Sequence, residues 1–338
     1  MMAAEFQRRF ASHPLRGEVD FLVCTTPALL CSLFAPFDIP LMAYLGEPIL
    51  LSVEGEDRDG WWAEFDALAT AKNNFFACYN PFLSSMIEYQ TGLQLPVIRL
   101  HGLYTEVSYV PGGTRGNEFL VVKGPNICAD PVCLLNRFSK GLLGDAVEED
   151  SSRGKFLGLD ELRGPPYSVL ASFRATVLYP YDVALAIFYE LYSMGMPLLM
   201  PDRRLLQFYV FRGLHSYHTY HFVRPNGGGQ NLSFPGAGIG SPPFVPPLDA
   251  QKWWSVGSAW SARTDFDTFP HILRFSTVAE LFAHLAPGAT DWAEVSRNMR
   301  RFNQVGLVET SARWAFGLTS ALAGTAGASR RGAEAKDG

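Results

Sequence analysis

The stretch YPYDVALAIFYELYSMGMP, residues 179–197, carries the pattern that decides the fold. Its apolar residues recur at helical spacing, and Gly195 and Pro197 at its end are typical of a helix that stops before a strand. Glu190 lies inside this apolar helix, where an ionised carboxylate is costly to bury unless a donor hydrogen-bonds it. The fold therefore depends on what the helix packs against, and the function on what Glu190 holds.

Strand-like segments flank this helix on both sides. ATVLYP at 175–180 precedes it, and PLLMP at 197–201 follows it. A strand, a helix and a strand in close succession predict a parallel sheet, since parallel strands need a crossover connection. The same alternation starts with FLVVKG at 119–124, and an earlier series runs from DFLVCTT at 20–26 to LPVIRL at 95–100. We therefore predict an α/β fold with two Rossmann-like, doubly wound domains that face a cleft.

Changes in composition along the chain predict its domain organisation. A turn-rich segment at 108–118 separates the two series of strands, and a long segment rich in Gly, Pro and aromatic residues interrupts the second series. We predict an N-terminal extension at 1–19, a reduced first domain at 20–110, a second domain at 111–320 with an irregular insertion at about 213–250, and a disordered tail at 321–338.

The bulk composition describes a globular chain with a substantial core. Of 338 residues, 48% are hydrophobic and 18% are charged, and the net charge is −5 with scattered basic residues. A phosphate-tracking basic face is absent from this pattern, so nucleic acid is not an expected partner. No apolar run reaches the roughly 20 residues of a membrane span. We expect a soluble protein of the cytoplasm, or of the Golgi lumen if the chain is a fragment of an anchored protein.

Two groups of residues invite a metal-site interpretation. Cys128 and Cys133 are close in sequence, but no second pair of ligands follows at zinc spacing. His215, His218 and His221 would share one face of a helix but not of a strand, and no carboxylate or Cys nearby completes a set. We therefore predict no metal, and we expect the five cysteines to be buried free thiols, as in a reducing compartment.

The segment from Glu190 to Pro197 resembles the ribose-binding element of GT-B glycosyltransferases, which reads Glu, four residues, Gly, one residue and Pro. Glu190, Gly195 and Pro197 have this spacing, and the expected strands lie on either side. Asp182 stands eight positions before Glu190, where many GT-B families have a second carboxylate. The resemblance implies a GT-B fold and a nucleotide-diphosphate sugar as donor, with no metal or other cofactor required.

The resemblance also implies roles for residues in loops after strands. Glu190 is expected to accept hydrogen bonds from the ribose hydroxyls, and the basic residues are expected to neutralise the diphosphate. His101, which follows LPVIRL, is placed where an acceptor-side base or a contact to the transferred sugar would lie. The candidate donor-binding residues are Glu190, Asp182, Tyr181, Lys123, Gly124, Arg137 and Lys140.

Each of these residues has a structural alternative. Glu190 could pair with Arg174 or Arg203, and Asp182 could be the N-cap of a helix that begins at about Val183. Lys123 could be a solvated residue at a strand end. Arg137 and Lys140 together also fit an ordinary exposed helix face, which many surface helices present.

The resemblance leaves the function with alternatives as well. The first is a glycosyltransferase that moves a sugar to an unknown glycan, lipid or protein acceptor. A non-catalytic GT-B-like scaffold or partner protein is the second, and a nucleotide-sugar epimerase is less favoured. GT-B acceptor domains begin with further strands and a Gly-rich turn, whereas this chain reaches its first strand after about twenty residues. The first domain is therefore expected to be incomplete, through truncation or reduction.

Overall fold

The chain forms two compact units in the computed structural model. The described residues are 2–13, 17–37, 39–124, 131–143, 154–210, 233–234, 238–239 and 250–334. The first unit comprises Met1–Arg99, His215–Val256 and Val308–Gly338, and the second comprises Leu100–Leu214 and Gly257–Leu307. The division after Arg99 comes earlier along the chain than the predicted boundary at 110.

Helices and strands alternate through both units. The described helices are α1 (Met2–Ala11), α2 (Arg58–Thr70), α3 (Pro81–Thr91), α4 (Pro131–Leu143), α5 (Tyr167–Leu170), α6 (Ala186–Ser193), α7 (Arg203–Val210), α8 (Ala250–Ser261), α9 (Asp265–Thr268), α10 (Val278–Leu285) and α11 (Trp292–Glu334). The described strands are β1 (Leu22–Cys24), β2 (Leu41–Leu45), β3 (Asn74–Cys78), β4 (Arg115–Val122), β5 (Lys155–Gly158), β6 (Phe173–Leu178), β7 (Leu198–Pro201), β8 (Ser233–Phe234), β9 (Gly238–Ile239) and β10 (Leu273–Phe275). Short 3-10 helices span Ala28–Phe37, Leu103–Thr105 and Asp160–Leu162.

The first unit has a small parallel sheet. Its strands lie in the order β1-β2-β3, and all its pairs are parallel. The strand predicted at 95–100 is reduced to a single bridge between Cys78 and Val97. Helix α3 begins after Asn80, whose side chain caps it at the backbone N–H of Leu83, and ends at the left-handed Gly92.

A disulfide in this unit corrects the expectation of free thiols. Cys24 at the end of β1 is bonded to Cys31 in the following 3-10 helix, with their Cα atoms 5.6 Å apart. The strand and the helix fold back on each other, and this brings the two side chains together in a way that spacing alone does not reveal. Among the described cysteines, Cys78 is a buried free thiol, as predicted, whereas Cys133 is free but exposed.

The second unit has a five-stranded, fully parallel sheet in the order β10-β7-β6-β4-β5. The chain enters at β4, steps outward to β5, and then crosses to β6 on the other side of β4. The strand order therefore reverses between β4 and β6, which is the topological switch point of a doubly wound sheet. The predicted α/β class with parallel sheets is confirmed.

Both faces of this sheet are buried. One face packs against α4 and α10, and its core includes Val121, Val177 and Leu199. Alternate residues, which point to the other face of the sheet, are buried as well, for example Leu120 and Leu178. A parallel sheet buried on both faces explains why its strands read as continuous apolar runs.

Helix α6 ends in a turn that only a glycine accommodates easily. The N–H of Met196 donates to the carbonyl of Leu191 at 3.0 Å, and the N–H of Gly195 donates to Tyr192 at 2.9 Å. Gly195 has a φ of +70°, so these bonds form a Schellman motif. The chain then enters β7 through Pro197, whose carbonyl accepts from Thr176 at 2.9 Å. The Glu-Gly-Pro spacing thus also has a purely structural reason.

One sequence prediction about a helix limit is wrong. Helix α6 begins at Ala186 and its N-cap is Leu185, so Asp182 is not an N-cap and no helix N-terminus lies at Val183. The extended backbone at Leu185 delays the helix. Helix α11 continues to Glu334, and the disorder expected for the tail at 321–338 stays a prediction.

The predicted insertion at about 213–250 lies almost wholly outside the described residues, which there comprise only β8, β9 and Ala250. Among the described helices, none is long and apolar enough to cross a membrane.

The turn at Gly195 yields a stability prediction. A Cβ there would lie 2.7 Å from Cγ of Arg300, whereas at Gly288, with a φ of +75°, it would meet nothing within 4 Å. We expect Gly288→Ala to cost about 1–2 kcal/mol from left-handed strain, and Gly195→Ala to cost about 1–3 kcal/mol more from overpacking. Denaturant unfolding of the two variants measures the difference, and equal losses would show that the turn has no packing constraint.

Candidate ligand site at the carboxyl edge of the second sheet

The loops after β4 and β6 leave the second sheet side by side. Val122 is paired in register with Leu178, and the N–H of Tyr179 donates to the carbonyl of Val122 at 2.8 Å. A Cβ on Gly124 would lie only 2.4 Å from Cβ of Tyr181, so glycine permits this close approach. Doubly wound sheets bind ligands at the carboxyl ends of strands at such a switch point.

Two phenols, those of Tyr104 and Tyr167, lie beside the Glu190 carboxylate. The hydroxyl of Tyr104 donates to Oε1 of Glu190. Tyr167 lies beside both groups, and its pKa responds to hydrogen bonding with each of them. The two tyrosine rings meet edge to face with centroids 6.1 Å apart. Glu190 itself is half-buried. The carboxylate is thus held by neutral donors, and a carboxylate has about four acceptor positions in total.

The tyrosine segment is fastened directly to α6. The N–H of Gly102 donates to Oγ of Ser193 at 3.0 Å. A Cβ on Gly102 would lie 2.8 Å from Cα of Glu190, so the backbones touch. The carbonyl of Gly102 in turn accepts from Oγ1 of Thr105 at 2.8 Å. These contacts fix the 3-10 helix Leu103–Thr105 against the helix that carries Glu190.

The charge of Glu190 raises the pKa of the surrounding phenols. For Tyr104, burial raises the pKa most, and the hydrogen bond and charge of Glu190 raise it further. The pKa values of Tyr167 and Tyr181 are raised in the same sense, by burial first and then by neighbouring acids. All three phenols therefore stay protonated at neutral pH and serve as hydrogen-bond donors.

Asp182 and Tyr181 lie in the same loop near Glu190. After burial, the charges of Asp182 and Glu190 both raise the pKa of Tyr181, so both acids lie within electrostatic range of this tyrosine. Oδ1 of Asp182 accepts from the N–H of Val183 at 2.6 Å, so the acid supports the bend after β6. The structure thus brings together Glu190, Tyr181, Asp182 and Gly124 of the predicted residues.

Lys123 lies at the same edge but has an acidic partner. Its Nζ is 3.2 Å from Oδ2 of Asp160, in the 3-10 helix after β5. Asp160 is largely exposed, with 64% of its side chain accessible. Such exposed ion pairs stabilise by about 1 kcal/mol or less. An anionic ligand at this loop can therefore compete for Lys123 at little cost.

Arg137 and Lys140 are exposed on α4. Lys140 is in the last turn of the helix, where a cation interacts favourably with the helix dipole. This position fits the alternative of an ordinary helix face, and their role toward a diphosphate stays a prediction.

His101 packs against α11. Its Nδ1 is 3.0 Å from Oδ1 of Asn303, and a Cβ on Gly306 would lie 3.5 Å from its Cε1. With the Asn303 amide in this orientation its oxygen accepts, and the ring proton is then assigned to Nδ1. His101 is one residue from Gly102 and so close in sequence to the segment beside Glu190. Its role as a base stays a prediction.

The arginines considered as partners of Glu190 have other positions. Arg203 forms an ion pair with Asp267, and the guanidinium of Arg174 lies 5.9 Å from the ring centroid of Phe119. Arg203 belongs to a separate polar cluster at the ends of β7 and β10. There Asp202 caps α7 at the N–H of Leu205.

Tyr104 and Tyr167 are the functional candidates that sequence reasoning missed. Tyr104 is 86 positions from Glu190, and no motif surrounds it. His215, His218 and His221 lie outside the described residues. Within the described parts of the chain, no group of three or more His, Cys, Asp or Glu side chains is arranged to hold a metal ion.

The first unit contains a cavity. It has a volume of about 320 Å³ and lies between the 3-10 helix Ala28–Phe37 and α2. Leu41 and Asn74, which begin β2 and β3, form part of its lining. It therefore lies at the amino ends of these strands, the edge opposite to the one that binds ligands in α/β sheets.

Comparisons with known proteins give similarity of fold only. No protein family model matches the chain, and no curated protein matches it in sequence. Similar solved structures include two glycosyltransferases. CalG4, the calicheamicin glycosyltransferase, has 13% identity and a TM-score of 0.39 over 95% of this chain and 80% of its own. The glycotransferase of kitacinnamycin has 12% identity and a TM-score of 0.43 over 90% and 76%. Both belong to the enzyme class that the Glu190 motif resembles, but at these values nothing about function follows from them.

The tyrosine contacts yield a titration prediction. In a Glu190→Gln variant the negative charge beside Tyr104 and Tyr167 is lost, so we expect both phenols to ionise at lower pH than in the wild type. Alkaline titration followed by phenolate absorbance measures this shift. A Tyr104→Phe/Glu190→Gln double variant assigns the part that belongs to Tyr104. An unchanged titration curve would show that Glu190 does not contact the phenols.

Proposed function

We propose that the second unit binds the nucleoside diphosphate of an activated sugar and that the protein is a glycosyltransferase. The observation that carries the proposal is the Glu190 carboxylate, which the Tyr104 phenol contacts on the helix that follows β6, one of the two strands at the switch point. A carboxylate neutralised by an arginine would be a structural ion pair. One held by neutral donors keeps its charge and its capacity to accept from ribose hydroxyls.

The surrounding residues support binding of the rest of the donor. Sugar transfer releases a nucleoside diphosphate with growing negative charge, which the protein must stabilise. Lys123 is the basic residue nearest in the chain to the switch-point loop, and its pairing with exposed Asp160 is weak enough to be exchanged for phosphate. Gly124 and Tyr181 bring the two loops close together. We assign Arg137 and Lys140 a supporting electrostatic role from α4.

In this proposal the sugar leaves the diphosphate as an oxocarbenium-like group and bonds to a nucleophilic acceptor oxygen. The acceptor hydroxyl must lose its proton, and His101 is the candidate to receive it. The donor requires no cofactor in this scheme. The acceptor, whether glycan, lipid or protein, follows from neither the loops nor the sheet.

A second candidate is a nucleotide-binding partner protein without transferase activity. The observation that favours it is the contact of His101 with Asn303, which ties the candidate base to α11. Incubation with activated sugars distinguishes the two, because a transferase releases free nucleoside diphosphate slowly by hydrolysis even without its acceptor. If activated sugars bind but none of them releases its nucleoside diphosphate, the result would favour the partner protein.

Replacement of Glu190 tests the ribose assignment. We expect Glu190→Gln to weaken binding of a nucleoside diphosphate by about 10- to 100-fold, because a charged hydrogen bond is worth about 1.5–3 kcal/mol. Calorimetric titration with the diphosphates of uridine, guanosine and adenosine measures the loss. Glu294→Gln, which changes an exposed acid on α11, is the matched control. Equal affinity in the Glu190 variant would contradict the assignment.

A further inference from the structure

Tyr104 differs from Tyr109 and Tyr192, two other phenols of the second unit, in its partner and its exposure. The hydroxyls of Tyr109 and Tyr192 donate to the backbone carbonyls of Arg174 and Pro270, and both side chains are buried. Tyr104 donates to a half-buried carboxylate while 56% of the residue is exposed. A phenol that serves only to satisfy a core carbonyl has no need of this arrangement.

The exposed ring of Tyr104 is nevertheless fixed in place. The backbone of Gly102 touches that of Glu190, and the bonds of Gly102 to Ser193 and Thr105 hold the short 3-10 helix on α6. The neighbouring Leu103 is also 60% exposed. The site therefore presents a rigid, accessible phenol beside the carboxylate, and ordering it on ligand binding costs little entropy.

Hydrogen-bond counting shows what this phenol can still do. The Tyr104 proton points to Oε1 of Glu190, and its oxygen can accept as well as donate. Tyr167 interacts with both groups, so a ribose hydroxyl must share the Tyr104 oxygen with Tyr167 or take its place. The carboxylate, with about four acceptor positions, keeps acceptor capacity beside the Tyr104 contact. Two adjacent acceptors match two adjacent hydroxyl donors, which is the chemistry of a cis-diol.

We propose that Tyr104 is a specificity-determining residue of the nucleotide site, and that its phenol oxygen and the Glu190 carboxylate each accept a hydrogen bond from one of the two ribose hydroxyls. This inference rests on the proposed function, since it concerns the same ribose. A sugar that lacks one hydroxyl leaves one acceptor without its donor, and sites built for a hydroxyl reject such analogues strongly.

Titration of the wild type with complete and deoxy nucleotides tests the proposal. Adenosine, guanosine and uridine diphosphates are each compared with their 2′-deoxy and 3′-deoxy forms by calorimetry. We expect the wild type to bind the complete ribose at least about 10-fold more tightly than either deoxy form. In Tyr104→Phe, which keeps the ring, we expect one of these two ratios to fall to about one while the other persists.

Matched variants separate this role from a structural one. Tyr109→Phe removes a buried phenol of the same unit and is expected to keep both ratios, even if it lowers the melting temperature. Tyr167→Phe removes the other phenol beside Glu190 and is expected to weaken all forms equally. A loss of overall fold would show in circular dichroism and would change every affinity together, whereas a changed ratio reports only the hydroxyl contact.

The outcomes are distinct from failure of the proposed function. If the wild type binds nucleotides and needs Glu190, but Tyr104→Phe keeps both ratios, the inference is overturned and the proposed function stands. If the affinity ratio between complete and deoxy nucleotide falls to about one in Tyr167→Phe and not in Tyr104→Phe, Tyr167 contacts the hydroxyl, and the inference about Tyr104 is overturned as well. If the wild type binds no nucleotide of the set, both fail together.

Discussion

The left-handed turn at Gly195 is the constraint on which the rest of the second unit depends. It ends α6 with a 6→1 hydrogen bond and sends the chain through Pro197 into β7. The length of α6 between Ala186 and this turn fixes where Glu190 lies along the helix axis and in which direction its side chain projects. Because Gly102 touches Glu190, the same turn also determines where Tyr104 meets the carboxylate.

Most of the fold could be predicted from the sequence because its signals are local. Apolar runs that end at a proline predicted β6 and β7. The elements that were predicted wrongly depend on tertiary structure. The run at 95–100 reads as a strand, but it pairs with β3 through a single bridge only. The predicted start of α6 lies too early in the chain, because no local sequence signal indicates the extended backbone at Leu185.

The candidate site was predictable only where a strand end and a motif coincide. Parallel strands end at one edge, so Gly124, Tyr181 and Asp182 could be placed near Glu190 without coordinates. The partners of Glu190 could not, because Tyr104 reaches it across 86 positions and a lone tyrosine carries no motif. The Cys24–Cys31 disulfide escaped prediction for a related reason, since it depends on how the chain folds back after β1.

A crystal structure of the protein with a bound nucleoside diphosphate tests the central claim most directly. The account predicts that the two ribose hydroxyls lie within about 3 Å of the Glu190 carboxylate and the Tyr104 oxygen, with the diphosphate toward the loop at Lys123. A nucleotide bound elsewhere, such as beside Asp202 and Arg203 at the end of β7, with the Tyr104–Glu190 contact undisturbed, would contradict it.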